Sequence, residues 1–96
     1  MYARISTFTT GPDSDPHADL NATMMRVLEN PGCRGLYFLN ETAGGTTACI
    51  TLWDSEDSLA ASAPSEVATR SDLSAALHLT PVGVQEYEVT ATTFMG

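Results

Sequence analysis

Lysine is absent from the sequence, and this absence is the first limit on what the chain can bind. Four arginines stand against twelve acidic residues, which gives a formal net charge of −8. Phosphate backbones and anionic lipid surfaces repel a chain of this charge. We therefore expect neither nucleic acid nor a membrane as its partner.

Cysteine is scarce, and no motif for a metal or a nucleotide occurs. The two cysteines, Cys33 and Cys49, form no CxxC pair, and no histidine lies at metal-ligand spacing from either. The sequence also contains no phosphate-binding glycine loop and no nucleophile-elbow GxSxG turn. We expect no metal, no cofactor and no serine hydrolase site.

Long apolar runs are missing too. The N-terminal MYARISTFTT lacks the basic region and apolar stretch of a signal peptide. No segment approaches the roughly 18 apolar residues that a membrane span needs. We expect a cytoplasmic protein. With 96 residues, 43% of them hydrophobic, the composition is typical of one globular domain spanning residues 1–96.

The first half of the chain predicts a strand followed by a helix. Residues 2–9 are rich in β-branched and aromatic residues and stop before Gly11-Pro12. Asp15 can cap a helix whose first position is Pro16, and Asn30-Pro31-Gly32 would end it. The predicted helix therefore spans 15–29. Its apolar face would contain Leu20, Met24, Val27 and Leu28.

Two β-rich runs follow, CRGLYFLN at 33–40 and TTACITLW at 46–53, joined by ETAGG. The glycine pair permits a tight reversal, so we expect a hairpin. A turn near Ala43-Gly44 would place Cys49 opposite Phe38. Cys33 would then lie about 16 Å further along its strand, well beyond the roughly 7 Å between Cα atoms that a disulfide allows. The cysteines should not bridge.

The last third predicts a divided helix and a final strand. After Trp53, Ser55 is a suitable N-cap, and acidic residues follow it in the first turn. Pro64 should divide the helix and leave a second piece over 65–77. The run VGVQEYEVTATTF, residues 82–94, alternates as a strand does.

The predicted order β-α-β-β-α-β indicates an α+β, ferredoxin-like fold. In this fold a four-stranded antiparallel sheet has its helices on one face. Alternate residues of a strand point to opposite faces of the sheet, and here both faces would hold apolar side chains. The face without helices should therefore pair with a second copy and form a homodimer. The sequence leaves open which of the two sets of side chains faces the helices, since one bulge would move a set to the opposite face. One parity holds Leu36, Phe38, Ile50 and Leu52, and the other positions hold Tyr37, Leu39, Tyr87 and Val89.

The element order and two motifs resemble the antibiotic biosynthesis monooxygenase-like family of dimeric α+β barrels. The motifs are NPGCRGLYFL, which leads into the second strand, and TLWDSEDSL, which ends the third. The resemblance covers nearly the whole chain. It implies that Trp53 borders a pocket between the sheet and the helices. There the indole would supply a large apolar surface against which a planar ligand can pack. The alternative, which the residue type favours, is that Trp53 fills the core between helices and sheet, and the two roles are compatible.

The resemblance offers two enzyme activities and one alternative. Quinone-forming relatives use an asparagine four residues before the tryptophan and a tyrosine six residues after it, where this chain has Cys49 and Leu59. Heme-degrading relatives use an asparagine in the first strand and a helical histidine about ten residues beyond the tryptophan, where this chain has Ala3 and Ala63-Pro64-Ser65. Heme degradation is therefore disfavoured. The remaining hypotheses are a cofactor-independent monooxygenase of an aromatic or polycyclic molecule and a non-catalytic dimer that binds a small hydrophobic ligand.

No spacing singles out a catalytic residue, so the catalytic set stays unknown. His78 is also suited to capping a helix C-terminus, and the tyrosines are also suited to packing at an interface. His17, in the first turn of the predicted helix, is expected to be an exposed neutral ring, and Arg34 is expected to pair with an acidic surface group. The pocket candidates are Trp53, Tyr37, Asn40, His78, Tyr87, Met24, Cys49 and Leu59.

Overall fold

The computed structural model describes residues 1–15 and 19–93, which form one antiparallel sheet with helices on one face. The strands pair in the order β2-β3-β1-β4, which confirms the ferredoxin-like prediction. Within the described ranges, no helix is both long and apolar enough to cross a membrane. The elements are β1 (Tyr2–Thr9), α1 (Asn21–Leu28), β2 (Cys33–Asn40), β3 (Thr46–Trp53), α2 (Glu56–Ala61), α3 (Ala63–Leu77) and β4 (Thr80–Glu88).

The hairpin of β2 and β3 has the predicted alignment. Phe38 lies opposite Cys49, and both cysteines are free. Gly44 and Gly45 have φ values of 83° and 97°, which glycine adopts without the steric cost that other residues meet. Local turn chemistry thus sets the register of this pair.

The first helix is shorter than predicted, since it begins at Asn21 and not at residue 15. The backbone N–H of Asp15 donates to the Leu77 carbonyl, 3.0 Å away at the end of α3, so Asp15 belongs to a tertiary contact. Asp19 accepts a 2.9 Å hydrogen bond from the N–H of Asn21 at the true helix start. The expectations for Pro16 and His17 fall outside the described residues.

The second helical region begins as predicted. Ser55 accepts a 3.1 Å hydrogen bond from the backbone N–H of Ser58 and caps α2. The division is a single residue, Ser62, after which α3 begins at Ala63, slightly before the predicted residue 65. Pro64 lies in the first turn of α3, where its missing N–H removes no helix hydrogen bond.

The last strand runs over Thr80–Glu88 and not over 82–94. It ends there because its partner ends: Glu88 pairs with Tyr2, the first residue of β1. The N–H of Val89 makes one further hydrogen bond, to the Met1 carbonyl at 2.9 Å. Residue 94 lies outside the described part of the chain.

The apolar residues of the strands are distributed over the two sheet faces differently from the prediction. Leu36 and Phe38 pack toward the core under the helices. Since Phe38 lies opposite Cys49, even-numbered residues of β2 share a face with odd-numbered residues of β3. Ile50 and Leu52 therefore lie on the open face, and grouping them with Leu36 and Phe38 was wrong. The core cluster contains Phe8, Leu20, Cys49, Leu73, Leu77 and Leu79.

Candidate functional site

A narrow cavity lies between the sheet and the helices. It encloses about 370 Å³ when its opening to solvent is counted, but its free volume is only about 30 Å³, which is room for about two water molecules. Val27 of α1 and residues of α3 form its roof. Alternate residues of β1 and β3 form its floor: Arg4, Ser6, Phe8, Cys49, Thr51 and Trp53.

Trp53 is one wall of this cavity and is also part of the interior. Its side chain is 1% exposed, and its indole Nε1–H donates to the Thr51 hydroxyl at 2.9 Å. The Arg4 guanidinium carbon lies 5.8 Å from the centre of the indole ring, within the range of a cation–π contact. The indole therefore fills space between sheet and helices while one part of it borders the cavity.

Arg4 is a buried cation whose hydrogen bonds join three elements. Its Nε and Nη2 donate to one Glu86 carboxylate oxygen at 3.0 and 2.8 Å. Its Nη1 donates to the Ser62 hydroxyl at 2.8 Å, and Nη2 donates to the Leu59 carbonyl at 2.9 Å. We call these four residues the Arg4 clamp. The clamp holds β4 and the junction of α2 with α3 to the central strand β1.

Glu66 enters the cavity from α3 without comparable bonding. Its Oε1 atom is buried and accepts no hydrogen bond from the described residues. The nearest opposite charge is Arg70, whose Nε lies 3.5 Å away. The Glu66 side chain is 13% exposed, so water reaches only a small part of it. Leaving a charged acceptor unbonded in such a place costs stability.

Cys49 contributes a neutral thiol to the floor. Burial, reinforced by nearby Cys33 and Glu66, raises the pKa of Cys49 to about 11. The thiolate is the nucleophilic form of cysteine, so the native side chain is unreactive near neutral pH. Its contribution to the cavity is a small apolar surface.

The turn before α2 explains why the NPG and WDSED motifs occur together. Gly32 has φ 83°, and a Cβ atom there would collide with the side chains of Asp54 and Ser58. The Asp54 N–H donates to the Gly32 carbonyl at 2.9 Å. A hydrogen bond from Ser58 lowers the pKa of the Asp54 carboxyl. The two motifs therefore form one structural turn at the end of β3.

Comparison with solved structures reveals chains of the same architecture over nearly their full lengths. The Rv0793 protein of Mycobacterium tuberculosis is 20% identical with a TM-score of 0.68, over 97% of this chain and 98% of that one. An asparagine-to-alanine variant of SnoaB, a cofactor-independent oxygenase from Streptomyces nogalater, is 17% identical with a TM-score of 0.68, over 95% and 94%. A proposed antibiotic biosynthesis monooxygenase from Deinococcus radiodurans is 18% identical with a TM-score of 0.67, over 100% of both chains.

The fold is that of the antibiotic biosynthesis monooxygenases. The resemblance stated from the motifs is thus confirmed for the fold. No protein-family model matches the chain, and no curated protein matches it. At these identities the likeness establishes architecture, and the reaction must be argued from the side chains.

Only part of the predicted site falls on the cavity of this monooxygenase-type fold. Trp53 and Cys49 line it. Met24 is partly buried against the adjoining core. Leu59 is buried, and its backbone carbonyl, rather than its side chain, contributes to the Arg4 clamp.

The other candidates lie away from the cavity. Tyr37 and Tyr87 are 50% and 47% exposed, and they belong to the open face of the sheet. Asn40, at the end of β2, accepts a 3.0 Å hydrogen bond from Thr47. His78 caps α3 in the left-handed conformation, with φ 54°. Arg34 is exposed near Asp54.

Sequence reasoning missed Arg4, Ser62 and Glu66. A signal existed for two of them. Arg4 alternates with Ser6 and Phe8 on the inward side of the first strand, and Glu66 lies two helical turns before Leu73, on the same face as that buried leucine. Ser62 had no signal, because its role depends on the single-residue junction between two helices.

Proposed function

We propose that the protein is a cofactor-independent monooxygenase that acts on a small hydroxylated aromatic molecule in the cavity between sheet and helices. The observation that carries this proposal is the cavity itself, which has aromatic walls from Trp53 and Phe8 and polar groups among them. The oxygenase SnoaB, which has the same fold, adds an analogy. We propose that residues 1–96 act as one domain.

The proposed chemistry needs no external reductant. A phenol with a free ring position reacts with dioxygen to give a quinone and water: one oxygen atom enters the ring, and the other leaves as water with the hydroxyl and ring hydrogens. The phenol supplies all four electrons that dioxygen accepts. The protein has to exclude bulk water, hold the ring and orient its hydroxyl group.

Admission of a ring requires the cavity to widen, and α1 is the element best suited to move. Val27 is the one buried residue of this helix, while Met25 and Leu28 are 59% and 42% exposed. An element with so little buried apolar surface has a low cost of displacement. We propose that outward movement of α1 opens the cavity.

We propose that the protein is a homodimer joined through the open sheet face. This face presents Tyr37, Leu39 and Tyr87, each more than two-fifths exposed, beside the half-buried Ile50 and Leu52. Sedimentation equilibrium should give about twice the 10.2 kDa chain mass, and Ile50→Glu should give monomers because it places a charge in an apolar interface. A monomeric native protein would contradict the proposal.

We also propose that the protein is cytoplasmic, because its two free cysteines fit a reducing compartment.

A non-catalytic dimer that binds a small hydrophobic ligand is the second candidate. It is favoured by the small free volume of about 30 Å³ and by the engagement of Arg4 in structural bonds. Heme degradation stays disfavoured: in the described ranges the one histidine is His78, which is exposed at the end of α3 and does not line the cavity.

The deciding experiment is titration of the fluorescence of Trp53, the single tryptophan, with hydroxylated aromatics and with hemin, followed by dioxygen uptake. Saturable quenching by a phenol, with uptake and quinone formation, is the expected result. Quenching without uptake would favour the binding protein. Quenching by hemin alone would restore the heme hypothesis, and no saturable response would contradict a ligand cavity.

A further inference from the structure

The Glu66 carboxylate is the unusual polar group of the interior. Among buried side-chain nitrogen and oxygen atoms of residues 1–15 and 19–93, its Oε1 is the one that lacks a hydrogen bond. Several other polar groups of the cavity are bonded, among them the Arg4 guanidinium and the hydroxyls of Thr51 and Ser62. Native proteins rarely leave such an atom unbonded without a reason.

The charges around Glu66 restrict the ligand that could satisfy it. A carboxylate in a poorly solvated cavity repels an anion, so carboxylates and phenolates are disfavoured. Glu66 would attract a cationic amine, but two cations face the same space, Arg70 at 3.5 Å from Glu66 and Arg4 beside Trp53, and their repulsion opposes this attraction. A neutral group that donates a hydrogen bond is what remains, and on an aromatic ring this is a hydroxyl.

The cavity also restricts size. Its free volume of about 30 Å³ must grow for any ring to enter. Val27 of α1 lines the cavity and is 4% exposed, so the displacement of α1 and the loss of this buried contact should grow with the number of fused rings.

We infer that Glu66 orients the ligand by accepting a hydrogen bond from a neutral phenolic hydroxyl, and that the ligand has a single aromatic ring. This inference rests on the proposed function, because it names the ligand class of the same cavity. It assigns Glu66 a positioning role. Proton removal and dioxygen reduction are not assigned to it.

The first test uses the native protein and two probes of nearly equal size. Para-nitrophenol can donate a hydrogen bond to Glu66, whereas para-nitroanisole, its methyl ether, cannot. Quenching of Trp53 fluorescence, measured below the pKa of the phenol, should give an affinity for the phenol about ten-fold higher or more. Equal affinity for the two probes would overturn the inference.

The second test replaces the acceptor. Glu66→Gln keeps the shape of the side chain and removes its charge, so it should weaken para-nitrophenol binding about ten-fold and leave para-nitroanisole binding unchanged. Glu41→Gln, an exposed residue of the hairpin turn, is the control with the same charge change and should bind as the native protein does. Unchanged phenol affinity in Glu66→Gln would contradict the proposed role. If this variant fails to fold, the affinities of the native protein for para-nitrophenol and para-nitroanisole decide whether the inference holds.

An absorbance titration supplies a readout that a purely structural Glu66 would not change. Glu66 disfavours a bound phenolate, whereas Arg70 and Arg4 on the same cavity favour it. Because Glu66→Gln removes only the first effect, the apparent pKa of bound para-nitrophenol should be higher in the native protein than in this variant. A probe that binds the native protein as phenolate would overturn the inference.

Ring size is tested with a series of one, two and three fused rings, each with one hydroxyl. Affinity should fall from phenol to naphthol to hydroxyanthracene. Tighter binding of the larger rings would contradict the size limit. If no aromatic compound binds at all, the proposed function itself fails, whereas binding that ignores the hydroxyl or Glu66 contradicts this inference alone.

Discussion

Arg4 and Glu66 are charged residues that line one cavity, Arg4 from the sheet and Glu66 from α3, yet their surroundings differ. Arg4 is 4% exposed and donates to a carboxylate, a hydroxyl and a carbonyl. Glu66 has one oxygen that is buried and accepts no hydrogen bond from the described residues. The protein has provided partners for one charge and has left the other incompletely satisfied.

The difference separates a structural group from a candidate binding group. A buried charge with its bonds made stabilises the arrangement of the elements that it joins. A buried acceptor without a partner lowers stability, and such a cost is tolerated where function requires it. Replacing the two side chains should therefore have opposite effects on the free energy of unfolding.

The largest effect is expected from removing the Arg4 clamp. Arg4→Ala deletes four hydrogen bonds and the cation over Trp53, so the free energy of unfolding should fall by about 3 kcal/mol. Urea unfolding of the native protein and the variant measures this loss. The control is Arg26→Ala, which breaks an exposed 3.1 Å ion pair with Asp72 and should cost at most about 0.5 kcal/mol. Equal losses from the two substitutions would mean that the clamp is not structural.

The pH dependence of stability that arises from Cys49 reports how poorly the cavity is solvated. Its folded-state pKa is raised from 9.0 to about 11, so above pH 9 the unfolded chain loses this proton first. Stability should therefore be unaffected below about pH 9 and fall by up to roughly 3 kcal/mol as the pH rises toward 11. In Cys49→Ala this part of the decline should be missing. Parallel stability curves for the two proteins above pH 9 would show that water reaches the thiol.

The smallest effect has the opposite sign. Glu66→Gln removes a charge that is poorly solvated and incompletely bonded, so the free energy of unfolding should rise by about 1 kcal/mol. Thermal and urea unfolding of the ligand-free protein measure it, with Glu41→Gln as the control for net charge. A clear loss of stability would show that the 3.5 Å contact with Arg70 is a structural ion pair, and the contrast with Arg4 would disappear.

Short-range interactions account for the parts of the fold that could be predicted. The hairpin register depends on the turn at Gly44-Gly45, and the start of α2 depends on a hydrogen bond from the Ser58 N–H to Ser55. The predicted start of the first helix failed because Asp15 binds Leu77 at the end of α3. A cap residue read from the sequence cannot reveal a competing partner that lies far away in the chain.

The order of elements, the hairpin alignment, the free cysteines and the family resemblance could all be predicted from the amino-acid sequence, because neighbouring residues carry these properties. Packing of the helices on the sheet fixed which strand residues face the helices, and it brought Arg4 to the junction between α2 and α3 at Ser62. It also decided that Glu66 enters the cavity without a hydrogen bond. Burial and bonding of a charge depend on groups supplied by distant segments, so these properties arise only when the helices cover the sheet.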